Sequence, residues 1–310
     1  MKCFGNKAIG KTFYHRRDRR LHNDSILSIN QAINFIYKNL DKSLTVEEIA
    51  EQCCFSKYYF NRVFKGIVGE NIYSFVKRMK LERAAFHMKT SKQRSITDIA
   101  IEAGYSPSNF ASAFKQYFGV SASEFRRMSK APCKNSHAHV LEHIQNLTKN
   151  ENSFREIDGR MQIKRIAGMN LLYKRTICNY ARDLKEAWEL FCRETAEKHS
   201  LDKVGRLVGI SYDDPLIVDE DRCIYDMCME IDEISGVNVH RIEAGTYACY
   251  EFHDRLDKLI LAFNEIFSLW FPFCRYQLDN RPSLEIYQSG LDEKGKIRVE
   301  ICIPIKGSQI

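Results

Sequence analysis

Apolar residues recur at helical spacing soon after the chain begins. Ile26, Ile29, Ile33, Ile36 and Leu40 fall on one helix face. Asn23, Asp24 and Ser25 precede them as N-cap candidates, so residues 1–23 are set apart as a basic flexible arm. A second helical stripe is Ile72, Phe75, Val76, Met79 and Ala84. It predicts a single helix over 72–88, about 25 Å long at about 1.5 Å per residue. Between and beyond these stripes the chain repeats itself at a shift of about 50 residues. Ile49-Ala50 meets Ile99-Ala100, Phe55-Ser56 meets Tyr105-Ser106, Phe60 meets Phe110, and Phe64-Lys65 meets Phe114-Lys115. Gly69 meets Gly119 and Phe75 meets Phe125.

Each copy reads as a short helix, a tight turn and a second helix. Thr45 and Glu48 form a capping box, Ser95 or Thr97 opens the counterpart, and Ser56 and Ser106 cap the second helices. Gly104 stands where such a turn needs a left-handed residue, and Cys54 takes that place in the first copy, which implies modest strain. The rod between the copies is long enough to hold two reading helices about one DNA turn, about 34 Å, apart.

After residue 162 the periodicity changes. Strand-like runs appear at 162–166, 171–177, 207–211, 224–230, 245–252, 283–288 and 297–303, with helical stretches at 183–200 and 253–269. The expected architecture is therefore an all-α domain with two helix-turn-helix units over 24–130, a linker over 131–160, and an α+β domain over 161–308. The latter has two pseudo-symmetric halves and a mainly antiparallel sheet.

Charge sharpens this picture. Of the chain's 47 Lys and Arg and 40 Asp and Glu, residues 1–130 hold 23 and 11, a net +12; the remainder hold 24 and 29, a net −5. A basic first half suits a polyanion such as double-stranded DNA. On the first reading helix Lys57, Tyr58, Asn61, Arg62 and Lys65 should face outward, and Arg and Asn are the side chains that bond guanine and adenine in two places. The second should present Ser108, Asn109, Ser112 and Lys115, which suits phosphate positioning and shape reading more than base readout.

No long apolar run predicts a membrane span, and no secretory signal opens the chain. The eleven cysteines show no C-x-x-C pair, so reduced thiols in the cytoplasm are expected, and neither a metal nor a cofactor is assigned. No Ser/His/Asp or Cys/His set and no Gly-rich phosphate loop has motif support, so no enzyme is expected.

Ile99-Ala100, Gly104-Tyr105, Ser108, Phe110, Phe114-Lys115, Phe118-Gly119 and Ser123 to Arg126 resemble the DNA-binding domain of the AraC/XylS transcription regulators. A proline common near Ala122 and Ser123 in that family is absent. The resemblance implies DNA reading through Tyr58, Asn61 and Arg62, RNA polymerase as a partner, and activation, the commoner mode there. An Arg usual at the position of Ser112 is missing.

Residues 161–306 are similar to the GyrI-like effector-binding domain through 209–215 (GISYDDP), 245–248 (GTYA), 282–287 (PSLEIY), 303–305 (IPI) and Trp270-Phe271-Pro272. The family's H-x-G-P turn is His253-Asp254-Arg255 here. The resemblance implies a cleft in which Glu285 faces a small cationic or aromatic effector. Trp188, Tyr212, Trp270, Phe271 and Tyr287 are its expected lining. Two alternatives stay open: a protein-interaction surface without ligand, and a GyrI-like hydrolase.

Overall fold

Both copies of the repeat fold through the same local chemistry. The structure, a computed structural model, describes residues 16–128, 138–148, 152–198, 205–232, 238–290, 292 and 294–306. Helix α1 (Arg16–Lys38) leads into α2 (Val46–Glu51) and α3 (Lys57–Val68). Helix α4 (Ile72–Thr90) joins this unit to α5 (Ile96–Glu102) and α6 (Pro107–Phe118), and α7 (Ala122–Arg127) closes the domain. Thr45 and Glu48 make the expected reciprocal box at α2. Ser95 and Ser106 accept the N3 backbone N–H at α5 and α6. Ser56 holds the N-cap position of α3 without a side-chain bond.

The turns differ as anticipated. Gly104 has φ 76° and Cys54 has φ 55°, so an L-residue with a Cβ adopts the left-handed region in the first copy. Phe60, Phe64 and Phe75 fill one core, and Phe110, Phe114, Phe118 and Phe125 the other, with successive rings 4.5–5.6 Å apart. The 19 residues of α4 span about 28 Å.

Helix α1 starts earlier than expected. Residues 16–23 are helical and no part of a loose arm, because nothing before the Asn23-Asp24-Ser25 run breaks a helix and polar residues inside one cost only tenths of a kcal/mol. Residues 1–15 of the expected arm lie outside the described residues.

The expected linker also holds structure: α8 (Ala138–Thr148) and α9 (Ser153–Asp158) pack against the second domain through Ile144, Leu147, Phe154 and Ile157. Strands β1 (Met161–Ile166), β2 (Met169–Cys178), β3 (Leu207–Ser211), β4 (Cys223–Ile231), β5 (Val239–Ile242), β6 (Gly245–Arg255), β7 (Gln277–Leu278), β8 (Leu284–Ser289) and β9 (Lys296–Lys306) follow. Every pairing is antiparallel, in the order β1-β6-β9-β8-β3-β4-β2-β5, with β7 on β9. Helix α10 (Leu184–Lys198) covers one part of the sheet. Helix α11 (Leu259–Glu265) and the π-helical turn Ile266–Trp270 cover another.

The helix expected over 253–269 thus begins six residues late. His253, Asp254 and Arg255 pair with Arg298, Ile297 and Lys296, and those ladder bonds hold them in β6. The two domains are packed together. Ile177 and Ile224 join the core of the first helix-turn-helix unit and Ile217 that of the second. The Tyr37 and Tyr212 rings meet edge to face at 4.6 Å, and the Tyr37 hydroxyl donates to the Tyr212 carbonyl at 2.9 Å.

Candidate functional site

Two surfaces carry the expected chemistry. The first is the outward face of α3 and α6. Burying Phe60 and Phe64 on the inner stripe of α3 turns Lys57, Tyr58, Arg62 and Lys65 outward, and Tyr58 is 87% exposed. Asn61 is half-buried at the margin of that face. Lys57 pairs with Glu47 of α2 at 2.5 Å, an exposed contact worth little when a phosphate competes. Arg62 lies over the ring of Tyr59, 5.5 Å from its centroid, which orients the guanidinium. Tyr59 was not among the expected residues; its place three before Arg62 on the helix was the available signal. On α6, Ser108, Asn109, Ser112 and Lys115 are exposed, and the Ser112 hydroxyl donates to the Ser108 carbonyl at 3.2 Å.

The second is a cavity of about 1370 Å³ lined by the second domain and by α1 and α4 of the helical one. Glu285 is in its wall, 2% exposed, on β8. Its Oε2 accepts the Tyr225 hydroxyl at 2.5 Å and the Tyr287 hydroxyl at 3.1 Å. Burial pushes the Glu285 carboxyl up from its ordinary range, against hydrogen bonds from Tyr225, Tyr287 and Ser211 that pull it down. Gly209 explains how these groups meet. It pairs with Glu285 across β3 and β8, and a Cβ there would stand 1.9 Å from the Tyr225 hydroxyl and 2.8 Å from Glu285 Oε2. Trp188 of α10 meets the Tyr287 ring edge to face at 5.1 Å. Trp188, Tyr212, Glu285 and Tyr287 all line the cavity, as does Tyr225, which the alternation of β4 left unmarked.

Trp270 and Phe271 do not line the cavity. Both are in the core under α11, 1% and 3% exposed, and the Trp270 indole N–H donates to Asp158 of α9 at 2.8 Å. Their expected place in the lining is corrected by α8 and α9, which the polar composition of 131–160 concealed and which cover that side of the sheet.

Tyr212 has a second role. Its hydroxyl donates to Asp226 Oδ2 at 2.9 Å within a buried network. Arg175 donates twice to Asp226, at 2.8 and 2.7 Å, and reaches across the domain boundary to Asn34 Oδ1 at 2.8 Å and the Asn30 carbonyl at 3.3 Å, both on α1. His240 Nε2 is 2.7 Å from Asp226 Oδ2. Burial pushes the Asp226 carboxyl up, but Arg175 and the His240 bond outweigh it and hold it down at about 2.

The helical domain also contributes to the cavity wall, through Asn34 and Tyr37 of α1, and Met79, Glu82, Arg83, Phe86 and His87 of α4. Phe86 meets Phe267 edge to face at 4.9 Å, and Arg83 Nη2 donates to Asn280 Oδ1 at 2.6 Å.

Two family models match the chain. A GyrI-like small molecule binding domain matches residues 160–306, and a helix-turn-helix domain matches 40–128. The Transposon Tn10 TetD protein of Escherichia coli is 32% identical over 111 residues, 36% of this chain and 78% of that protein. The HTH-type transcriptional activator AarP of Providencia stuartii is 32% identical over 99 residues, 32% of this chain and 73% of that one. Among solved structures, the cryo-EM structure of an EcmrR-DNA complex in EcmrR-RPo covers 65% of this chain and 85% of its own, at 14% identity and a TM-score of 0.41. No helix among the described residues is long and apolar enough to cross a membrane.

Proposed function

The chain belongs to the AraC/XylS family of transcription regulators, and from that premise we propose that it reads an asymmetric DNA site as a monomer and activates transcription under control of a small effector. The observation that carries the reading is the pair of helix-turn-helix units on one rigid rod, each with an exposed polar face. Arg62, with Tyr58 and Asn61 beside it, reads bases; Lys57 and Lys65 neutralise phosphates. Ser108, Asn109, Ser112 and Lys115 position the second unit, which lacks a guanidinium for guanine. The effector is a lipophilic cation. Glu285 is buried among Tyr225, Tyr287 and Trp188, and a cation entering there offsets the cost of ionising that carboxyl. RNA polymerase is the partner of the DNA-bound form, and the protein works in the cytoplasm. No chemistry is assigned to the cavity.

The test is selection of bound sequences from a random duplex pool with the wild type and Arg62→Ala in parallel. The reading expects two boxes about one helical turn apart, about 34 Å, and loss of one box in the variant. Failure of either protein to enrich any motif, with and without a lipophilic cation present, would defeat it.

A further inference from the structure

The cavity is larger than one cation needs. Ligand sites for small molecules run to about 300–1,000 Å³, and this one reaches about 1370 Å³, with residues of α1 and α4 as well as of the second domain in its wall. The wall that α4 contributes differs in charge from the wall around Glu285. Arg83 and His87 are four residues apart, so they share one helix face, and both line the cavity. Arg83 bonds Asn280, a neutral amide, and no carboxylate pairs with it among the described residues.

Neither ring nitrogen of His87 meets a hydrogen-bond partner in the protein, although both are shielded from solvent. The ring borders both the large cavity and a small void of about 10 Å³, which admits at most one water, so a ligand reaches a ring nitrogen only by a small shift of the side chain towards the cavity. The largest charge effects on this ring come from Arg83, Arg94 and Lys306, with Glu102 opposing them, and Glu102 is bonded to Arg94. Burial and Arg83 push the His87 pKa down to about 4, so the ring is neutral and carries one N–H to donate. Beside this pair stand Phe86, Phe263 and Phe267, apolar surface for the body of a ligand.

The shielded, unbonded imidazole is costly unless something answers it, and the half-exposed Arg83 guanidinium beside it has no ion-pair partner among the described residues, with Glu102 acting on it only at a distance. We propose that the cavity has a second polar pole, at the junction of the two domains, where Arg83 and His87 of α4 bind the anionic group of an amphipathic ligand. The chemistry is a carboxylate or sulfonate on an apolar or aromatic body. It accepts from the Arg83 fork and from the His87 N–H while its body lies against the three phenylalanines. Such a ligand touches the rod that carries both reading units. This inference rests on the reading of the cavity as the effector site, but it needs no contact with Glu285.

The test titrates the full chain with two probes, 8-anilinonaphthalene-1-sulfonate followed by its own fluorescence and tetraphenylphosphonium followed by tryptophan emission. Wild type, Arg83→Met, Arg83→Lys and Glu285→Gln are compared. The expected result is a tenfold or greater loss of sulfonate affinity in Arg83→Met, recovered to within about threefold in Arg83→Lys, with phosphonium affinity unchanged in both. Glu285→Gln should do the reverse. Sulfonate affinity in Arg83→Met within twofold of wild type overturns the second pole, as does failure of the sulfonate to bind. If the sulfonate behaves as expected but the phosphonium does not bind, the cationic reading of Glu285 falls and the junction pole stands. Retained phosphonium binding and an unchanged thermal melt separate lost contacts from a misfolded Arg83→Met.

Discussion

Arg175→Met should cost this protein more than any substitution on its surface. The guanidinium is 2% exposed and the Asp226 carboxylate it grips in two places is fully buried. Removing the cation leaves that carboxylate with only the Tyr212 hydroxyl and His240. A buried pair broken from one side loses about 3–5 kcal/mol, most of it the penalty on the stranded charge. The same substitution frees Asn34 Oδ1 and the Asn30 carbonyl, so α1 keeps only the bonds of the Asn34 amide to the Tyr173 hydroxyl and of the Tyr37 hydroxyl to the Tyr212 carbonyl as polar ties to the second domain among the described residues. Urea unfolding at pH 7 measures the loss. Arg175→Met/Asp226→Leu, which removes both charges, should recover most of it, because an apolar pair of similar volume is often as stable as a buried ion pair. Without Arg175 the Asp226 carboxyl rises from about 2, so the deficit of the single variant should shrink as the pH falls towards 4. A loss below about 1 kcal/mol for Arg175→Met, or a double variant no more stable than the single, would refute the reasoning.

Two further predictions concern the turn and the domain junction. Cys54→Gly should raise stability by about 1 kcal/mol, because φ 55° penalises a Cβ that Gly104 avoids in the other copy; an unchanged or lower melting temperature would contradict this. Burial pushes the Asp213 and Asp214 carboxyls, in the cavity wall beside α4, up to about 6 each. A carboxyl raised by folding favours its neutral form in the native state, so its contribution is complete below about pH 4 and is lost as the pH rises through about 6. Asp214→Asn keeps an acceptor for the Leu216 N–H and should flatten the decline of stability across that window by at most about 1.4 kcal/mol per pH unit. Parallel pH profiles for wild type and variant would count against it.

The helical domain was the more legible half, for a physical reason. Its cores are built from residues on the same two or three adjacent helices, so the stripe Phe60, Phe64 or Phe110, Phe114, Phe118 announces both the element and its buried face. Even the strained turn at Cys54 showed, through the register of the repeat with Gly104. The second domain depends on partners distant in sequence. His253 to Arg255 read as the start of a helix until β9 pairs with them. Strand β5 is four residues long with His240 and Arg241 inside it, and β7 has two residues, too few for alternation to register. Glu285 was visible because it interrupts an apolar strand, but only the folded sheet shows that Gly209 leaves the space above it that Tyr225 fills. Trp270 carried the opposite lesson: an aromatic at the end of a cavity-side helix turned inward because Asp158 offers its indole a partner.

Helix α4 ties these halves together energetically. An effector alters DNA affinity only so far as it binds two arrangements of the protein unequally, and the resulting coupling is reciprocal, typically about 1–3 kcal/mol. A cavity confined to the sheet would need the linker to carry that difference. Here the cavity wall includes Met79, Glu82, Arg83, Phe86 and His87 of the same helix that spaces α3 from α6. On the proposed reading, a ligand pressing on that wall would change the packing of Phe86 on Phe267, and a rod only about 28 Å long would transmit a small rotation to the recognition helices. The buried Arg175 network holds α1 to the sheet at the same boundary, so the second domain offers a fixed frame against which α4 would shift on the proposed reading. Bound DNA, by fixing the distance between α3 and α6, should in turn set the shape of the cavity that α4 closes.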